Sequence, residues 1–144
     1  MQIFTIGFTG HSAREFFSRI RDNQIATLID VRLYNSTQLA GFSKGRDLEF
    51  FLRELCDCDY IHALPFAPSK SLFTGYKNGQ IDWAAYQVIY DNQINTLDSL
   101  AFFRQFAGQR ICLLCAEHTP EKCHRRLLAE KIAETFADVS VEHL

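Results

Sequence analysis

Residues 110–132 read R-I-C-L-L-C-A-E-H-T-P-E-K-C-H-R-R-L-L-A-E-K-I, a pattern that predicts a strand, a loop and a helix in that order. Apolar and thiol residues fill 111–115, polar residues and a proline interrupt the run, and apolar residues then recur at helical spacing from Leu128. Reactive and charged side chains crowd the junction, namely Cys115, Glu117, His118, Cys123, His124, Arg125 and Arg126. This crowding predicts a functional site where the strand ends.

Working outward from this stretch, strands alternate with helices along the chain. The hydrophobic pattern predicts strands at 2–6, 25–31, 59–64, 110–115 and 139–142. It predicts helices after Ser12, near Leu48, near Leu72, after Asp82 and over 120–136. Ser12 and Glu15 match a capping box, and 33–45 is a long polar and aromatic loop. The alternation predicts a Rossmann-like three-layer α/β sandwich, with helices on both faces of a mostly parallel sheet of about five strands.

Composition indicates one domain, residues 1–144, because a chain with 47% hydrophobic and 22% charged residues is long enough for one core. A net charge of −2 lacks the basic excess of proteins that hold nucleic acid mainly through its phosphates. The cysteine count is odd, at five, and the chain starts without a secretory pattern. We therefore expect a cytoplasmic protein with free thiols, and no apolar run is long enough to span a membrane.

A polar motif follows each of the first four predicted strands. Because the carboxyl ends of parallel strands meet at one edge of a sheet, we expect these motifs to form one site. The motifs are 7–12 after the first strand, Asp30 with Arg32 after the second, His62 on the third, and Cys115, Glu117, Cys123, His124 and Arg125 after the fourth.

Several of these motifs also have purely structural interpretations. Gly7 and Gly10 do not form the dinucleotide fingerprint, although the helix that they precede can bind an anion through its free amides. Asp30 and Arg32 either pair with each other or bind a ligand, and a single His62 is often a structural histidine. The sequence alone leaves the structural and the ligand-binding interpretation of each motif open.

The cysteines divide into structural and candidate functional thiols. Cys112 and Cys115 have the spacing of a metal knuckle, but residues three apart on a strand face opposite sides and cannot share a metal. Cys115 and Cys123 flank a seven-residue loop and could face each other across it. Cys115 is either a thiolate near a helix N-terminus or a small buried apolar residue. Arg125 opposes the dipole of its helix, which anion binding would explain.

Several motifs together resemble the bacterial proteins grouped as the domain of unknown function 488 family. They are Asp30-Val-Arg32 with Ser36, 41–44 ending in Lys44, Tyr60-x-His62, Tyr76 to Trp83 with Tyr86, Cys115-Ala-Glu117 and Cys123-His-Arg125. The resemblance spans nearly the whole chain. It implies a compact α/β domain and the same polar set, with Ser36 and Lys44 as further substrate-binding residues, and it implies no particular reaction.

Our leading expectation is a hydrolase or group transferase acting on a phosphate-bearing substrate, such as a nucleotide or nucleic acid. Arg32 and Arg125, with amides of the turn from Gly7 to Ser12, would hold the anion. Asp30 or Glu117 would act as general base or orient His62 or His124, and Cys115 would be an optional nucleophile. The first alternative is a zinc or iron site using Cys115, Cys123 and His124, with Glu117, His62 and Asp30 as further possible ligands. The second alternative is a non-enzymatic module associated with nucleic acid.

Overall fold

Strands and helices alternate along the residues that this computed structural model describes, which are 1–36, 41–95 and 98–144. The strands are β1 (Gln2–Gly7), β2 (Thr27–Asp30), β3 (Asp59–His62), β4 (Arg110–Cys115) and β5 (Ser140–His143). The α-helices are α1 (Ala13–Asp22), α2 (Gly45–Cys56), α3 (Lys70–Lys77), α4 (Trp83–Asn95) and α5 (His124–Thr135). Short 3-10 helices span Gly41–Ser43, Leu64–Phe66 and Asp98–Phe106.

All described strand pairs are parallel, and the sheet order is β3-β2-β4-β1-β5. Gly7 at the end of β1 lies opposite Cys115 at the end of β4, and Asp30 at the end of β2 lies opposite Leu114. The carboxyl ends of the three inner strands therefore meet at one edge. The predicted three-layer α/β sandwich is confirmed.

Side-chain alternation along the strands creates two cores, one on each face of the sheet. Cys112 and Leu114 of β4 pack with the buried faces of α1 and α2. Ile111 and Leu113 point to the other face, where α4, α5 and the 3-10 helix Asp98–Phe106 cover the sheet. Cys115 follows Leu113 by two residues and so continues that second face.

The order of the strands across the sheet changes direction at β4, because β4 lies between β2 and β1. The helices that follow β1 and β2 pack on one face, whereas α5, which follows β4, packs on the other. Loops leaving adjacent strands toward opposite faces open a crevice between them. In open α/β sheets, this crevice is where ligands bind.

Local chemistry explains both the agreement and the differences in element boundaries. The capping box of α1 is present, because Glu15 N donates to Ser12 Oγ at 3.2 Å and Ser12 N donates to Glu15 Oε2 at 2.8 Å. β3 ends before the predicted limit of 64, because Leu64–Phe66 forms a 3-10 turn around Pro65. α5 begins at His124 and not near Pro120, because 120–123 form a turn closed by Cys123 N donating to Pro120 O at 3.2 Å.

Two further predictions concern the long loop and the membrane. In the predicted loop 33–45, residues 37–40 lie outside the described residues, and Gly41–Ser43 forms a 3-10 helix. Across 1–36, 41–95 and 98–144, no helix has the length and apolar character needed to cross a bilayer.

Candidate functional site

Cys115, Cys123 and His124 form a buried cluster between the end of β4 and the start of α5. Their sulfur atoms and one ring nitrogen all lie within 4.8 Å of one another. Cys115 is the last residue of β4, Cys123 is the residue preceding α5, and His124 is the first residue of that helix. The predicted loop thus brings Cys115 and Cys123 face to face, while Cys112 points into the opposite core.

The orientation of the His124 ring is set by the neighbouring strand. Its Nε2 lies 2.7 Å from the carbonyl oxygen of Val31, which can only accept, so Nε2 carries the proton and donates it. Nδ1 then faces Cys115 Sγ at 3.8 Å. The Tyr90 ring packs edge-on against the imidazole, with the centroids 5.5 Å apart. Backbone and aromatic contacts together fix which nitrogen is turned toward the sulfur atoms.

The buried cluster shares its protons unequally. The pKa of Cys115 is held well below its ordinary value, first by the hydrogen bond from the Cys123 thiol and then by the charge of His124, and these outweigh burial. The same hydrogen bond, together with burial, raises the pKa of Cys123. Burial alone would lower the pKa of His124, but the Cys115 charge reverses this and raises it. The contacts within the cluster therefore favour a thiolate at Cys115 over a thiolate at Cys123.

Asp30 and Arg32 form a buried ion pair at the end of β2. Arg32 Nε donates to Asp30 Oδ1 at 2.8 Å, and Nη2 donates to Asp30 Oδ2 at 2.6 Å and to the Ser43 carbonyl at 2.7 Å. Tyr60 Oη also donates to Asp30 Oδ2, at 2.7 Å. Among the described residues, Arg32 Nη1 has no hydrogen-bond partner, although the side chain is only 3% exposed. Both carboxylate oxygens of Asp30 accept hydrogen bonds, whereas Nη1 of Arg32 is unpaired within the described part of the chain.

His62 contacts the backbone next to this ion pair. Its Nε2 lies 2.8 Å from the carbonyl oxygen of Arg32, which it fixes at the end of β2. The ring is half-buried and does not line the cavity described below. Its contacts support Arg32 and place it away from the thiol cluster.

Arg125 and Gly7 hold the loop that connects Cys115 to Cys123. Arg125 is only 1% exposed, and its Nη1 and Nη2 donate to the carbonyl oxygens of Glu117, at 2.6 Å, and His118, at 3.3 Å. A β-carbon on Gly7 would overlap the Glu117 carbonyl oxygen. The predicted anion-binding Arg125 is thus engaged with backbone carbonyls, and only a residue without a side chain fits at position 7.

The predicted anion cradle after β1 is also engaged internally. Phe8 N and Thr9 N donate to the carbonyl oxygens of Cys115 and Ala116, each at 3.3 Å. His11 N donates to Phe8 O, and Ser12 N donates to the Glu15 carboxylate in the capping box. The turn extends the pairing of β1 with β4 and forms a wall of the site, with these amides already occupied.

A cavity of about 490 Å³ opens beside the thiol cluster. The lining includes five of the predicted site residues, namely Arg32, Cys115, Glu117, Cys123 and His124. The other lining residues are mainly aromatic or basic, and they come from the loops and from α3, α4 and the turn before α5: Phe8, Leu33, Tyr34, Pro68, Phe73, Tyr76, Lys77, Tyr86, Ala116 and Lys122. The lining of the cavity therefore combines reactive, aromatic and basic side chains.

Ser36 and Lys44 lie elsewhere, in a second depression of about 510 Å³. Asn35, Gly45, Arg46 and Asp47 complete its lining. The predicted site residues therefore divide into three groups: those in the cavity, those that support it from behind, and Ser12, Ser36 and Lys44 outside it.

Sequence reasoning did not assign site roles to several lining residues. Tyr34, Phe73, Lys77, Tyr86 and Lys122 border the cavity but were not among the predicted site residues. Hydrophobic periodicity identified the helices that carry Phe73 and Tyr86 but not which part of each helix meets the strand ends. For Tyr86, its place in the family motifs was the available signal.

The chain belongs to the family described as Domain of unknown function DUF488, whose sequence model matches residues 12–132. This match confirms the resemblance and covers all site residues from Asp30 to Arg125, but not Gly7. No curated protein and no solved structure matched the chain.

Proposed function

We propose that this DUF488-family protein is an enzyme that carries out hydrolysis or group transfer on a small phosphate-bearing substrate, such as a nucleotide. The substrate would occupy the cavity at the carboxyl ends of β1, β2 and β4. The observation that carries this proposal is the position of Arg32 on the cavity wall, with one guanidinium nitrogen unpartnered among the described residues, beside Cys115 and His124.

The charge of the cavity lining supports an anionic ligand. A buried donor without an acceptor is destabilising, and Arg32 Nη1 is such a donor. After a small movement of the cavity wall, a phosphate oxygen would satisfy it. Lys77 and Lys122 add two exposed cations at the rim, against the single carboxylate of Glu117 among the described lining residues. The lining is therefore basic, although the whole chain carries a formal charge of −2.

The shape and surface of the cavity support a substrate with a planar ring. Its volume of about 490 Å³ lies within the usual range for small-molecule sites. Tyr34, Phe73 and Tyr76 are aromatic lining residues on which a nucleobase can stack. Tyr86 is buried and already stacks on two other aromatic rings. Phosphate and ring recognition in one cavity together favour a nucleotide over inorganic phosphate or a sugar phosphate.

The reaction of the proposed enzyme would be carried out by residues that are exposed in the cavity. Glu117 is exposed and lines the cavity, so its carboxylate can take a proton from a reacting group. Asp30 is buried, with both oxygens occupied by Arg32 and Tyr60, so we assign Asp30 and His62 to positioning Arg32. The proposal keeps a cytosolic location as an expectation, consistent with the five free thiols.

Calorimetric titration of the purified protein with ribonucleoside monophosphates tests this proposal. We expect binding of the monophosphates and much weaker binding of the corresponding nucleosides and of inorganic phosphate. Lys77→Ala and Lys122→Ala should each weaken binding about fivefold, which is the loss of one partly exposed charge contact of ~1 kcal/mol. Lys70→Ala is the matched control, because Lys70 is exposed and lies outside the cavity lining.

Two results would contradict the proposal. One is a protein that binds no phosphate-bearing compound. The other is equal binding by the Lys70→Ala, Lys77→Ala and Lys122→Ala proteins, because the ligand would then not occupy the cavity. Circular dichroism spectra of the three variants check that the fold is unchanged.

A further inference from the structure

We infer that Cys115, Cys123 and His124 bind a zinc ion at the wall of the cavity, with the fourth coordination position open toward the substrate. The inference depends on the proposed function in one respect only, namely the substrate that would lie beside the metal. The donor set itself is argued from the geometry of the three residues.

The three side chains already have the spacing of metal ligands. With Zn–S of about 2.3 Å and Zn–N of about 2.0 Å, tetrahedral geometry places sulfur and nitrogen roughly 3.5 Å apart. The Cys115 Sγ to His124 Nδ1 distance is 3.8 Å, and all three donor atoms lie within 4.8 Å of one another. A small closing movement would complete the site.

The surroundings of the donors are those that support metal ligands in proteins. Metal-binding histidines usually donate their second ring N–H to a carbonyl or carboxylate, and His124 Nε2 donates to Val31 O at 2.7 Å. Arg125 Nη1 donates to Cys123 Sγ at 3.5 Å. This donor would stabilise a metal-bound thiolate at Cys123.

The donor types favour zinc and a catalytic role over a structural one. Two thiolates and one imidazole suit a borderline-soft divalent ion, and structural zinc sites normally close with a fourth protein ligand. Among the described residues, three protein ligands converge here, and Cys115, Cys123 and His124 all line the cavity. Three protein ligands with an open position is the pattern of catalytic zinc.

Glu117 would assist the metal without binding it. It follows Cys115 by two residues, is exposed, and lines the same cavity. Zinc enzymes that deaminate nucleobases place a glutamate that is not a ligand beside a zinc held by cysteine and histidine. In this chain the glutamate would hold the proton of a group bound at the open position.

Metal analysis of protein purified under reducing conditions without chelator tests the inference. We expect about one zinc per chain in the unaltered protein. Cys123→Ser and His124→Asn should each weaken zinc binding about tenfold or more and so lower the zinc content, because losing a ligand costs at least as much affinity as losing an outer-shell partner. Cys58→Ser is the matched control, since Cys58 is a buried thiol in the opposite core, and it should keep its zinc.

A second measurement on the unaltered protein covers variants that fail to fold. Cobalt(II) added to metal-free protein should produce a thiolate-to-cobalt charge-transfer band and the visible bands of tetrahedral coordination. Zinc should also protect Cys115 and Cys123 from iodoacetamide, as seen by peptide mass spectrometry. Metal-free protein as purified that also gives no cobalt bands would overturn the inference, and so would equal zinc in the Cys123→Ser and unaltered proteins.

The two proposals fail separately in these experiments. Nucleotide binding without any metal would overturn the zinc site and leave the phosphate-binding cavity intact. Stoichiometric zinc without binding of any phosphate-bearing compound would do the reverse.

Discussion

Gly7 lies where β1, β4 and the loop between β4 and α5 come into contact. It pairs with Cys115, and a β-carbon there would overlap the Glu117 carbonyl oxygen. Gly7→Ala should therefore lower the free energy of unfolding by about 2 kcal/mol, because the loop must move away. Urea denaturation measures this change. Gly41→Ala is the control, since no atom of the described residues lies within 4 Å of its added β-carbon, and an equal loss in both variants would contradict the account.

The carboxylate of Asp30 compensates the positive charge of the buried Arg32 side chain. Asp30→Asn leaves the guanidinium charge without its carboxylate, and breaking one side of a buried ion pair costs about 3 kcal/mol. Urea denaturation of Asp30→Asn should show this loss. Asp59→Asn removes a carboxylate that is 77% exposed and 4.0 Å from Arg53, and it should change stability little. A stability loss for Asp30→Asn as small as for Asp59→Asn would show that the pair contributes nothing.

The five thiols should differ sharply in reactivity. Burial raises the pKa of the Cys58 thiol to about 12, and Cys112 is wholly buried, so neither should react with iodoacetamide near neutral pH. Cys115 lines the cavity, and we expect it to be alkylated first in metal-free protein. Peptide mass spectrometry after short labelling gives the order of reaction, and faster labelling of Cys58 than of Cys115 would contradict it.

The loop between β4 and α5 depends on one side chain that lies outside it. Arg125→Lys keeps the charge but cannot reach both carbonyl oxygens, at Glu117 and His118, in the same fork geometry. Amide hydrogen exchange in 116–123 should become faster, while exchange in α1 stays unchanged. Arg14→Lys is the control, because Arg14 is exposed on α1. Unaltered exchange in 116–123 would show that Arg125 does not hold the loop.

The elements that depend on local signals were predictable from the sequence. The apolar run that predicts the strand at 110–115 and the capping box at Ser12 each lie within a few residues of chain, and both elements are present. The start of α5 was not predictable, because Pro120 and Glu121 are typical of a helix N-terminus. The turn that replaces this first part of the helix is held by Cys123 N donating to Pro120 O at 3.2 Å and by Arg126 Nη2 donating to Glu121 O at 2.9 Å, and residue spacing alone does not predict these two bonds.

The same distinction applies to the site. Cys115, Glu117, Cys123 and His124 come together because one strand, one loop and one helix carry them. The aromatic and basic walls come from α3, α4 and loops, whose approach to the strand ends no spacing in the sequence encodes. Ser36 and Lys44 follow Arg32 closely in the sequence but line a separate depression, together with Asn35 and the first residues of α2.

At the scale of the whole molecule, the cavity lies where the order of the strands in the sheet changes direction. β4 lies between β2 and β1, and the helix that follows it packs on the face opposite α1 and α2. The crevice opened by this reversal contains the thiol cluster and Arg32. The central claim is that a phosphate-bearing ligand binds in this crevice.

Chemical-shift mapping by NMR tests that claim most directly, because a chain of 16.6 kDa gives a resolvable backbone spectrum. The purified protein is titrated with a ribonucleoside monophosphate, and the shifted amides are assigned. We predict that the largest shifts occur at Arg32, Lys77, Cys115 and Lys122, around the cavity. Shifts confined to the depression around Lys44 and Arg46, or no shifts at all, would contradict the account.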